Sequence, residues 1–518
     1  MSTHRKVARS AGVIGSLTGV SRILGFIRDM VIAAAFGTGV SAEAFVVAFK
    51  IPNLLRDLVG EGATNAAFVP VLTESREKRP AEFWPLVSTL FFSMSGVLLL
   101  LAALGMLFTP GIVGLLAPGF LSSADSDKFP LTVTLTRAMF PYVFLIGLSA
   151  LAMGVLNSLK EFTSSALGPI LLNISLILAG VFFEKRYGPM ALVIGVLAGG
   201  VMQLACQIPP LVKSGFRLTR PSVSHASAAK IGKLLLPRAL GSALYQINVF
   251  VDSILASFET IIGPGGQSAL YYSNRLFQLP LAVFGVALSQ ALLPTLSTQA
   301  VRGDLKEMKA TILFAFRTLM LLVLPASVGL LVLARPIVRI IFEHGRFDAY
   351  STSITSRALF FYAFGLLSCC FIKVLVNAFY AMQDTRTPVK TMLLSVSLNV
   401  ALSVTLMRFL GIGGLTLASS ISATVNMALL YAALRRKIGP LSGGTALASF
   451  LRFLGMSLLM GLFAWGWNRW MLEPRLGDPR LSQSLWLGLG IGASVGLYLG
   501  LLWLFRVEEA RKLFSWRG

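Results

Sequence analysis

The chain has 518 residues, of which 55% are hydrophobic and 13% charged, and its mean hydropathy is +0.77. Soluble domains carry about 25% charged residues, so this composition excludes a soluble globular protein and makes the bilayer the solvent of most of the chain. The 45 Lys and Arg residues against 22 Asp and Glu residues give a net charge of +23. Two causes can explain that charge, cation-rich cytoplasmic loops or a cationic site for an anionic substrate, and we expect no nucleic-acid partner.

The first hydrophobic segment follows a basic N-terminus. It contains Arg22, Arg28 and Asp29, which the apolar core of a cleaved signal peptide would not tolerate. We therefore interpret this segment as a retained first transmembrane helix.

Apolar segments long enough to cross a bilayer, about 20 residues each, recur along the chain. The predicted spans are 11–36, 42–72, 84–116, 130–158, 163–184, 188–212, 234–260, 268–300, 307–334, 354–382, 388–407, 411–434, 446–470 and 482–505. They predict an all-α polytopic membrane protein of about 14 transmembrane helices. If the N-terminus is cytoplasmic, the cytoplasmic loops hold roughly 25 Lys and Arg residues against roughly 10 outside, which places both termini in the cytoplasm.

An internal repeat predicts the architecture. Arg137-Ala-Met-Phe-Pro-Tyr142 reappears as Arg357-Ala-Leu-Phe-Phe-Tyr362, and Asn157 matches Asn377 in the same register. The offset holds six predicted spans, and an even number gives both copies one orientation. We expect a six-helix lobe over 1–220, a second six-helix lobe over 221–440 in a pseudo-twofold arrangement, and two additional helices over 441–518. Chance similarity between apolar helices is the alternative.

Charged and polar residues interrupt the first two spans. They are Ser21, Arg22, Arg28 and Asp29 in the first span, and Lys50, Asn53, Arg56, Asp57 and Glu61 in the second. Each charge near the bilayer centre costs about 2.5–3.5 kcal/mol, so we expect these residues to face a hydrated interior. Lys50, Asn53 and Asp57 also fall on one helical stripe.

Arg275 is the corresponding cation of the second lobe. The guanidinium group presents a planar fork of donors that suits phosphate and carboxylate. Facing arginines from two lobes would form a cationic cavity. The alternative is that the charges pair among themselves, as Arg28 with Asp29, Arg56 with Asp57, or Lys50 with Asp57.

A second polar group suggests a candidate cation site. Asp252 lies within a predicted span, Asn399 and Ser403 share a helix face, and Ser419 lies in the next helix. Carboxylate, amide and hydroxyl oxygens suit Na⁺, or Asp252 could carry a proton. A hydrogen-bonded contact between helices is the alternative.

The sequence contains none of the patterns of an enzyme. It has no nucleotide-binding G-x-x-x-x-G-K-[ST] motif and no H-E-x-x-H motif. Its three cysteines lie in apolar segments, and we expect them to be buried like small hydrophobic side chains. We expect no catalytic residue and no cofactor. A Na⁺ or H⁺ gradient or the membrane potential, worth about 2.3 kcal/mol per charge at 100 mV, would supply the energy.

Several motifs identify a family resemblance. They are Ser21-Arg-Ile-Leu-Gly-Phe-Ile-Arg-Asp29, Ala44-Phe-Val-Val-Ala-Phe-Lys-Ile-Pro-Asn-Leu-Leu-Arg56, Glu61-Gly-Ala, Ala67-Phe-Val-Pro70, Tyr271 to Arg275, Gly285-Val-Ala-Leu288, Phe379-Tyr380, Gln383-Asp384 and Thr387-Pro-Val-Lys390. Together they resemble the MurJ (also called MviN) lipid II flippase family of the MOP exporter superfamily. The resemblance extends from about Ser16 to the last helices.

The resemblance implies a function and a set of roles. The expected function is translocation of lipid II, the lipid-linked peptidoglycan precursor, to the outer leaflet of the bacterial inner membrane by alternating access. Arg22, Arg28 and Arg275 would bind its diphosphate, with Arg56 and Lys50 in support, and the last two helices would form a groove for its lipid tail. Asp252, Asn399, Ser403 and Ser419 fall near a sodium site of some members. Expected partners are lipid II, membrane lipids and cell-wall synthesis proteins.

This sequence departs from the family pattern at three positions. Glu43 stands where an Asp is familiar, and Asn274 and Gln278 stand where some members have acids. Losing two acids leaves proton coupling at those positions in doubt. The rival functions are export of another polyprenyl-diphosphate-linked oligosaccharide and a non-transport scaffold of the cell-wall machinery.

Overall fold

The computed structural model describes residues 3–56, 64–219, 231, 246–247, 249–441, 445–475, 477–507 and 509. Within these ranges the regular secondary structure is helical, without a β-strand. A helix satisfies its backbone N–H and C=O groups internally, which a lipid-exposed segment requires. The predicted all-α class is therefore confirmed.

The first half of the chain forms eleven helices within the described residues. They are α1 Thr3–Phe36, α2 Val40–Arg56, α3 Thr64–Lys78, α4 Pro80–Leu107, α5 Thr109–Leu116, α6 Lys128–Met139, α7 Pro141–Ser158, α8 Thr163–Leu178, α9 Glu184–Tyr187, α10 Met190–Ala205 and α11 Ile208–Lys213. A 3₁₀ turn covers Pro118–Ser122, and a π-helical turn at Ala179–Phe183 joins α8 to α9.

Ten further helices follow residues 249–256, which are themselves helical. They are α12 Glu259–Ile262, α13 Gly266–Pro280, α14 Ala287–Val301, α15 Leu305–Phe342, α16 Ala349–Ala363, α17 Leu366–Ala381, α18 Arg386–Leu410, α19 Ile412–Ile438, α20 Thr445–Trp467 and α21 Arg480–Leu504. A π-helical segment, Leu281–Val286, joins α13 to α14. It begins directly after Pro280, whose ring nitrogen has no hydrogen to donate to the helix.

Ten helices of the described residues are long and apolar enough to cross a membrane. The count becomes eleven if α16 and α17, which meet at a 47° bend, form one span. The predicted spans 11–36 and 42–72 coincide with α1 and with α2 plus α3, which lie outside these ten. Residues 234–245 and 248 of the predicted span 234–260 lie outside the described residues, so the total of 14 stays a prediction.

The chain divides into two compact units. Unit 1 comprises residues 1–260 and 344–347, and unit 2 comprises 261–343 and 348–518. Residues 249–260 therefore belong to unit 1, although the sequence predicts a lobe boundary at 220. The last two helices, α20 and α21, belong to unit 2. The predicted pseudo-twofold relation of the lobes remains a prediction.

The core of unit 1 forms where α1, α2, α7, α8 and α10 meet. Ile32, Phe45, Tyr142, Leu176 and Val196 are among its buried side chains. Each helix contributes large apolar residues to this contact, and full burial of one such side chain contributes about 1.5–3 kcal/mol. This packing fixes the helices that carry the predicted charged residues.

In unit 2 the long helix α15 contacts several others. The ring of Phe316 stacks on that of Phe371 at 4.5 Å between centroids. The hydroxyl of Tyr498, on the last helix, donates a hydrogen bond to the Leu321 carbonyl oxygen at 2.8 Å. One buried polar bond thus holds α21 against α15.

Asp384 organises the turn between α17 and α18. Its carboxylate accepts hydrogen bonds from the Thr387 backbone N–H at 3.0 Å and from the Lys437 ammonium at 2.9 Å. The Thr387 hydroxyl donates a third at 2.8 Å. The bond from the backbone N–H first, and then Lys437, hold the pKa of Asp384 well below its ordinary value.

We predict that Asp384→Asn removes an acid-sensitive part of the stability. A carboxyl group with a lowered folded-state pKa stabilises the fold above its unfolded pKa of about 3.9 and loses that effect as the pH falls through the folded value. In thermal unfolding from about pH 8 to about pH 3, the variant should melt below the wild type at neutral pH and approach it in acid. The exposed Asp127→Asn is the control. Parallel curves for Asp384→Asn and wild type would contradict the prediction.

Candidate functional site

Lys50 is half-buried on α2 and contacts the segment 249–260. Its ammonium donates a hydrogen bond to the Ser253 hydroxyl at 2.9 Å. Asp252 and Glu43 also act on the ammonium electrostatically. The structure thus brings Lys50, a predicted substrate contact, together with Asp252, which the sequence assigns to a separate cation site.

Arg28 is buried in an ion pair with its neighbour. It is 7% exposed, and its Nη2 lies 2.7 Å from Asp29 Oδ1. Its Nε donates to the same oxygen at 3.0 Å, and Nη1 donates to Asn173 Oδ1 at 3.0 Å. The pairing of Arg28 with Asp29, which the sequence left as an alternative, is therefore what the structure shows.

Asn173, on α8, completes this network and connects it to Ser21. Its Nδ2 donates a hydrogen bond to the Ser21 carbonyl oxygen at 3.1 Å. The nearest neighbour of a Cβ placed on Gly25 would be Asn173 Nδ2 at 3.5 Å, so α1 passes close to α8 at this point. One amide side chain therefore holds two sites on α1, about two turns apart.

The remaining predicted residues of unit 1 have different environments. Arg22 is exposed and Ser21 is half-buried. Asn53 is half-buried, and its Oδ1 is buried without a hydrogen-bond partner among the described residues. The Arg56 side chain and all of Glu61 lie outside the described residues.

Arg275 lies on α13 in unit 2 and is half-buried. Its Nη2 donates a hydrogen bond to the Tyr271 hydroxyl at 3.3 Å, and the guanidinium carbon lies 5.0 Å from the centre of the Tyr271 ring. The Gln278 amide donates to Asn274, one turn along the same helix. The aromatic contact orients the guanidinium without neutralising its charge.

Three predicted cation-site residues occur together in unit 2. Asn399 Nδ2 donates to the hydroxyls of Ser419 and Ser422, each at 3.2 Å. Asn399 Oδ1 and Ser403 Oγ are buried and have no hydrogen-bond partner in the part of the chain that the structure describes. These neutral oxygens could contribute to a Na⁺ site, but Asp252 belongs to unit 1. Among the described residues there is no group of three or more His, Cys, Asp or Glu side chains that could hold a metal.

Unit 2 also contains an apolar cavity of about 710 Å³. It is lined by α15, α16, α17, α19 and α20, with Phe316, Phe371, Tyr431 and Phe450 among the lining side chains. Its polar groups include Ser368 and Thr424, whose hydroxyls hydrogen-bond to each other at 3.0 Å. The cavity can therefore accept an apolar ligand without leaving these two hydroxyls unpaired.

The sequence analysis missed a buried charge cluster in unit 1. Lys128 is fully buried, and its ammonium donates to the carboxylates of Glu43 and Glu259. The Ser123 hydroxyl donates to Glu259 at 2.6 Å. Burial by itself raises the pKa of Glu259, but the hydrogen bonds from Lys128 and Ser123 outweigh it and hold that pKa below its ordinary value. A lysine beside Asp125 and Asp127 resembles an exposed loop residue, so no local pattern indicates that Lys128 is buried.

This chain is similar to known proteins over most of its length. A family model described as lipid II flippase MurJ matches residues 32–474. The lipid II flippase MurJ of Burkholderia cenocepacia is 33% identical over 518 residues, covering 97% of this chain and 98% of the relative. The probable lipid II flippase MurJ of Rhizobium meliloti is 37% identical over 444 residues, covering 84% and 81%.

Two solved structures are similar to this chain. A lipid II flippase MurJ in an inward closed conformation has a TM-score of 0.79 at 27% identity and covers 95% of this chain and 98% of that one. An inward-facing MATE multidrug resistance transporter of the MOP superfamily has a TM-score of 0.66 at 15% identity and covers 82% and 96%. The second likeness concerns the fold alone.

We predict that Asp29→Ala destabilises the protein far more than Arg22→Ala. Removing Asp29 leaves the buried Arg28 guanidinium without its carboxylate, and breaking a buried pair in this way costs about 3–5 kcal/mol. The exposed Arg22 should change the free energy of unfolding by no more than about 0.5 kcal/mol. Thermal unfolding of both purified variants measures the difference. Equal melting temperatures would contradict a structural role for the Arg28–Asp29 pair.

Proposed function

The chain belongs to the lipid II flippase MurJ family, and we propose that it translocates lipid II from the inner to the outer leaflet of the bacterial cytoplasmic membrane for cell wall biogenesis. The observation that carries this proposal is the family match over residues 32–474, supported by relatives that align over nearly the whole chain. The cations within the membrane helices also suit an anionic substrate.

We propose that arginines from both units bind the diphosphate of lipid II. Arg22 is exposed on α1, and the guanidinium of Arg275 on α13 is half-buried and oriented by the Tyr271 ring and hydroxyl. Two guanidinium groups match the charge of a diphosphate and can each donate two hydrogen bonds to it. Arg56 would support them.

Arg28, Lys50 and Asn53 have supporting roles in this proposal. Arg28 uses three of its five N–H donors on Asp29 and Asn173, and its charge is paired with that of Asp29, so we assign it the role of positioning α1. The Lys50 ammonium is likewise engaged by Ser253. The unpartnered Asn53 oxygen can accept a hydrogen bond from a sugar hydroxyl.

We propose that the apolar cavity of unit 2 accommodates the lipid tail. Its volume of about 710 Å³ falls within the 300–1,000 Å³ range typical of ligand sites. Of the last two helices, α20 contributes Leu447, Phe450, Leu454 and Leu458 to its wall. An isoprenoid chain placed there would leave the anionic head group outside the apolar pocket.

The proposed cycle is alternating access with both termini in the cytoplasm. The head group binds from the cytoplasmic leaflet, the protein rearranges, and the head group leaves to the outer leaflet. The membrane potential, or a Na⁺ or H⁺ gradient, would drive it. For Na⁺, the Asn399 and Ser403 oxygens are the proposed ligands in unit 2.

Three rival functions make different demands on these residues. Export of cationic drugs is disfavoured because the exposed or aromatic-held arginines would repel the cargo. A scaffold of the cell-wall machinery has no need for Arg275 in a membrane helix. Export of another polyprenyl-diphosphate-linked oligosaccharide would use the same phosphate contacts, and only the identity of the retained lipid separates it from the favoured function.

Depletion of the protein in cells tests the function directly. Lipid II should accumulate in total amount and become inaccessible to a reagent that acts only from outside the membrane. An unrelated inner-membrane transporter, depleted in parallel, is the control. If the externally accessible fraction stays normal, the protein moves a different lipid-linked sugar or acts after translocation.

We predict that Arg275→Ala abolishes growth when it replaces the wild-type gene. Loss of the guanidinium removes two charge-assisted hydrogen bonds to phosphate, each worth about 1.5–3 kcal/mol. Arg275→Lys keeps the charge without the planar fork and should support slow growth. Arg302→Ala is the control, because Arg302 is exposed directly after the end of α14. Normal growth of the Ala variant at wild-type membrane levels would exclude Arg275 from the substrate site.

A further inference from the structure

Within unit 1, two carboxyl groups bind a single buried ammonium. The Lys128 ammonium donates hydrogen bonds to the carboxyl groups of Glu43 and Glu259, and we call these three side chains the lysine triad. The side chains of Lys128 and Glu43 are 0% and 2% exposed. With both carboxyl groups ionised, the triad would hold one uncompensated negative charge at a place that water barely reaches.

The nearest other cation does not supply the missing positive charge. Lys50 lies seven residues beyond Glu43 on α2, and its ammonium donates a hydrogen bond to the Ser253 hydroxyl at 2.9 Å. Asp252 acts on that ammonium more strongly than Glu43 does. Lys50 and Asp252 therefore balance each other and leave the charge of the triad unchanged.

The remaining described elements that pack against α2 do not change this balance. Helices α5 and α7 contain no Asp, Glu, Lys, Arg or His residue. Helix α1 contributes Arg28 and Asp29, which pair with each other. On α6 the next cation after Lys128 is Arg137, nine residues further along, which donates to the Met106 carbonyl oxygen. The excess of one negative charge thus remains with the triad.

The two carboxyl groups of the triad also lie in hydrogen-bonding contact with each other. An ionised carboxylate only accepts hydrogen bonds, whereas a protonated carboxyl group also donates one. Two carboxyl groups that share a site repel each other when both are ionised, so one of them keeps its proton. The contact between Glu43 and Glu259 therefore requires a proton on one of them.

The surroundings of the two carboxyl groups identify which one holds the proton. Glu259 accepts hydrogen bonds from Lys128 and from the Ser123 hydroxyl, the latter at 2.6 Å, and its side chain is 17% exposed. Donors and contact with water favour the ionised form, whereas burial favours the neutral form. Glu259 is thus the carboxylate, and the more deeply buried Glu43 is the protonated group.

The helix dipole of α2 opposes this assignment but is the weaker effect. Glu43 lies in the first turn of α2, where the dipole favours a negative charge. That preference is small beside the cost of leaving an uncompensated charge in a buried site. The Lys128 ammonium lies 4.2 Å from the centre of the Phe120 ring, a contact that favours its charged form. The neutral member of the triad is therefore Glu43.

We propose that the lysine triad is a proton-binding site, in which Glu43 holds one proton and donates it in a hydrogen bond to the Glu259 carboxylate. Lys128 then balances the remaining charge, so the site is electrically neutral only with its proton. This site belongs to unit 1, whereas the neutral oxygens of Asn399 and Ser403 belong to unit 2. The proposal concerns the protein without substrate and does not depend on the function proposed above.

Infrared spectroscopy of the full chain at about pH 7, in a detergent without ester groups, tests for the proton directly. A protonated carboxyl group has a C=O stretching band that a carboxylate lacks, and a Glu with the ordinary pKa of about 4.3 is ionised at this pH. The difference spectrum between wild type and Glu43→Gln should contain this band, shifted in D₂O. Glu74→Gln, at an exposed glutamate, is the matched control and should remove no such band. If Glu43→Gln removes none either, the proposal is overturned.

A second variant separates a shared proton from burial of Glu43 alone. In Glu259→Gln the second carboxylate is lost, so Glu43 and Lys128 form a one-to-one ion pair. Glu43 should then ionise, and the band should disappear. If the band persists in Glu259→Gln, burial alone holds the proton and the proposed sharing is wrong.

Thermal unfolding at about pH 7 reports the charge of Glu43 independently. Glu43→Gln replaces a neutral carboxyl group by a neutral amide of nearly the same shape, so its melting temperature should stay close to that of the wild type. Asp29→Asn breaks an ionised buried pair and should melt well below the wild type. An equal loss in both variants would mean that Glu43 is ionised and would overturn the proposal.

Discussion

The cost of placing an ionic group among apolar helices governs the interior of unit 1. A charge that remains unpaired there costs several kcal/mol, so each buried charge must have partners close by. Arg28 has Asp29 and Asn173, and Lys128 has Glu43 and Glu259. Asp29 lies on the same helix as Arg28, but Asn173, Glu43 and Glu259 lie on other helices than the cations they bind, so their contacts also fix which helices are neighbours.

This constraint explains which parts of the structure were predictable from the sequence. The helix class and most span positions follow from hydropathy, a property of local composition, and α18 and α19 lie within a few residues of their predicted ends. The amide partner of Arg28, Asn173, lies 145 residues away on α8, and no local pattern marks it as that partner. The burial of Lys128 was likewise not predictable, because the two carboxylates that it binds, those of Glu43 and Glu259, belong to distant segments of the chain.

The candidate site was predictable by residue type more than by role. Arg22 and Arg275 lie on the predicted helices, the first exposed and the second half-buried, and their role in binding substrate stays a prediction. Lys50 and Asp252 were assigned to two different sites, yet the structure makes them neighbours. The Lys50 ammonium beside Asp252 already supplies the positive charge that a bound cation would otherwise provide. The oxygens of Asn399 and Ser403 are therefore better candidates than Asp252 for ligands of a cation.

The pairing between α2 and residues 249–259 has a consequence for any movement in unit 1. Glu43 shares Lys128 with Glu259, and seven residues further along α2 Lys50 meets Ser253. The two segments therefore run antiparallel with two charged contacts about two turns apart. Sliding one past the other by a single turn would break both contacts together and leave buried charges without partners, which is far costlier than bending at residues that carry no charge. Rearrangement is thus directed away from this helix pair.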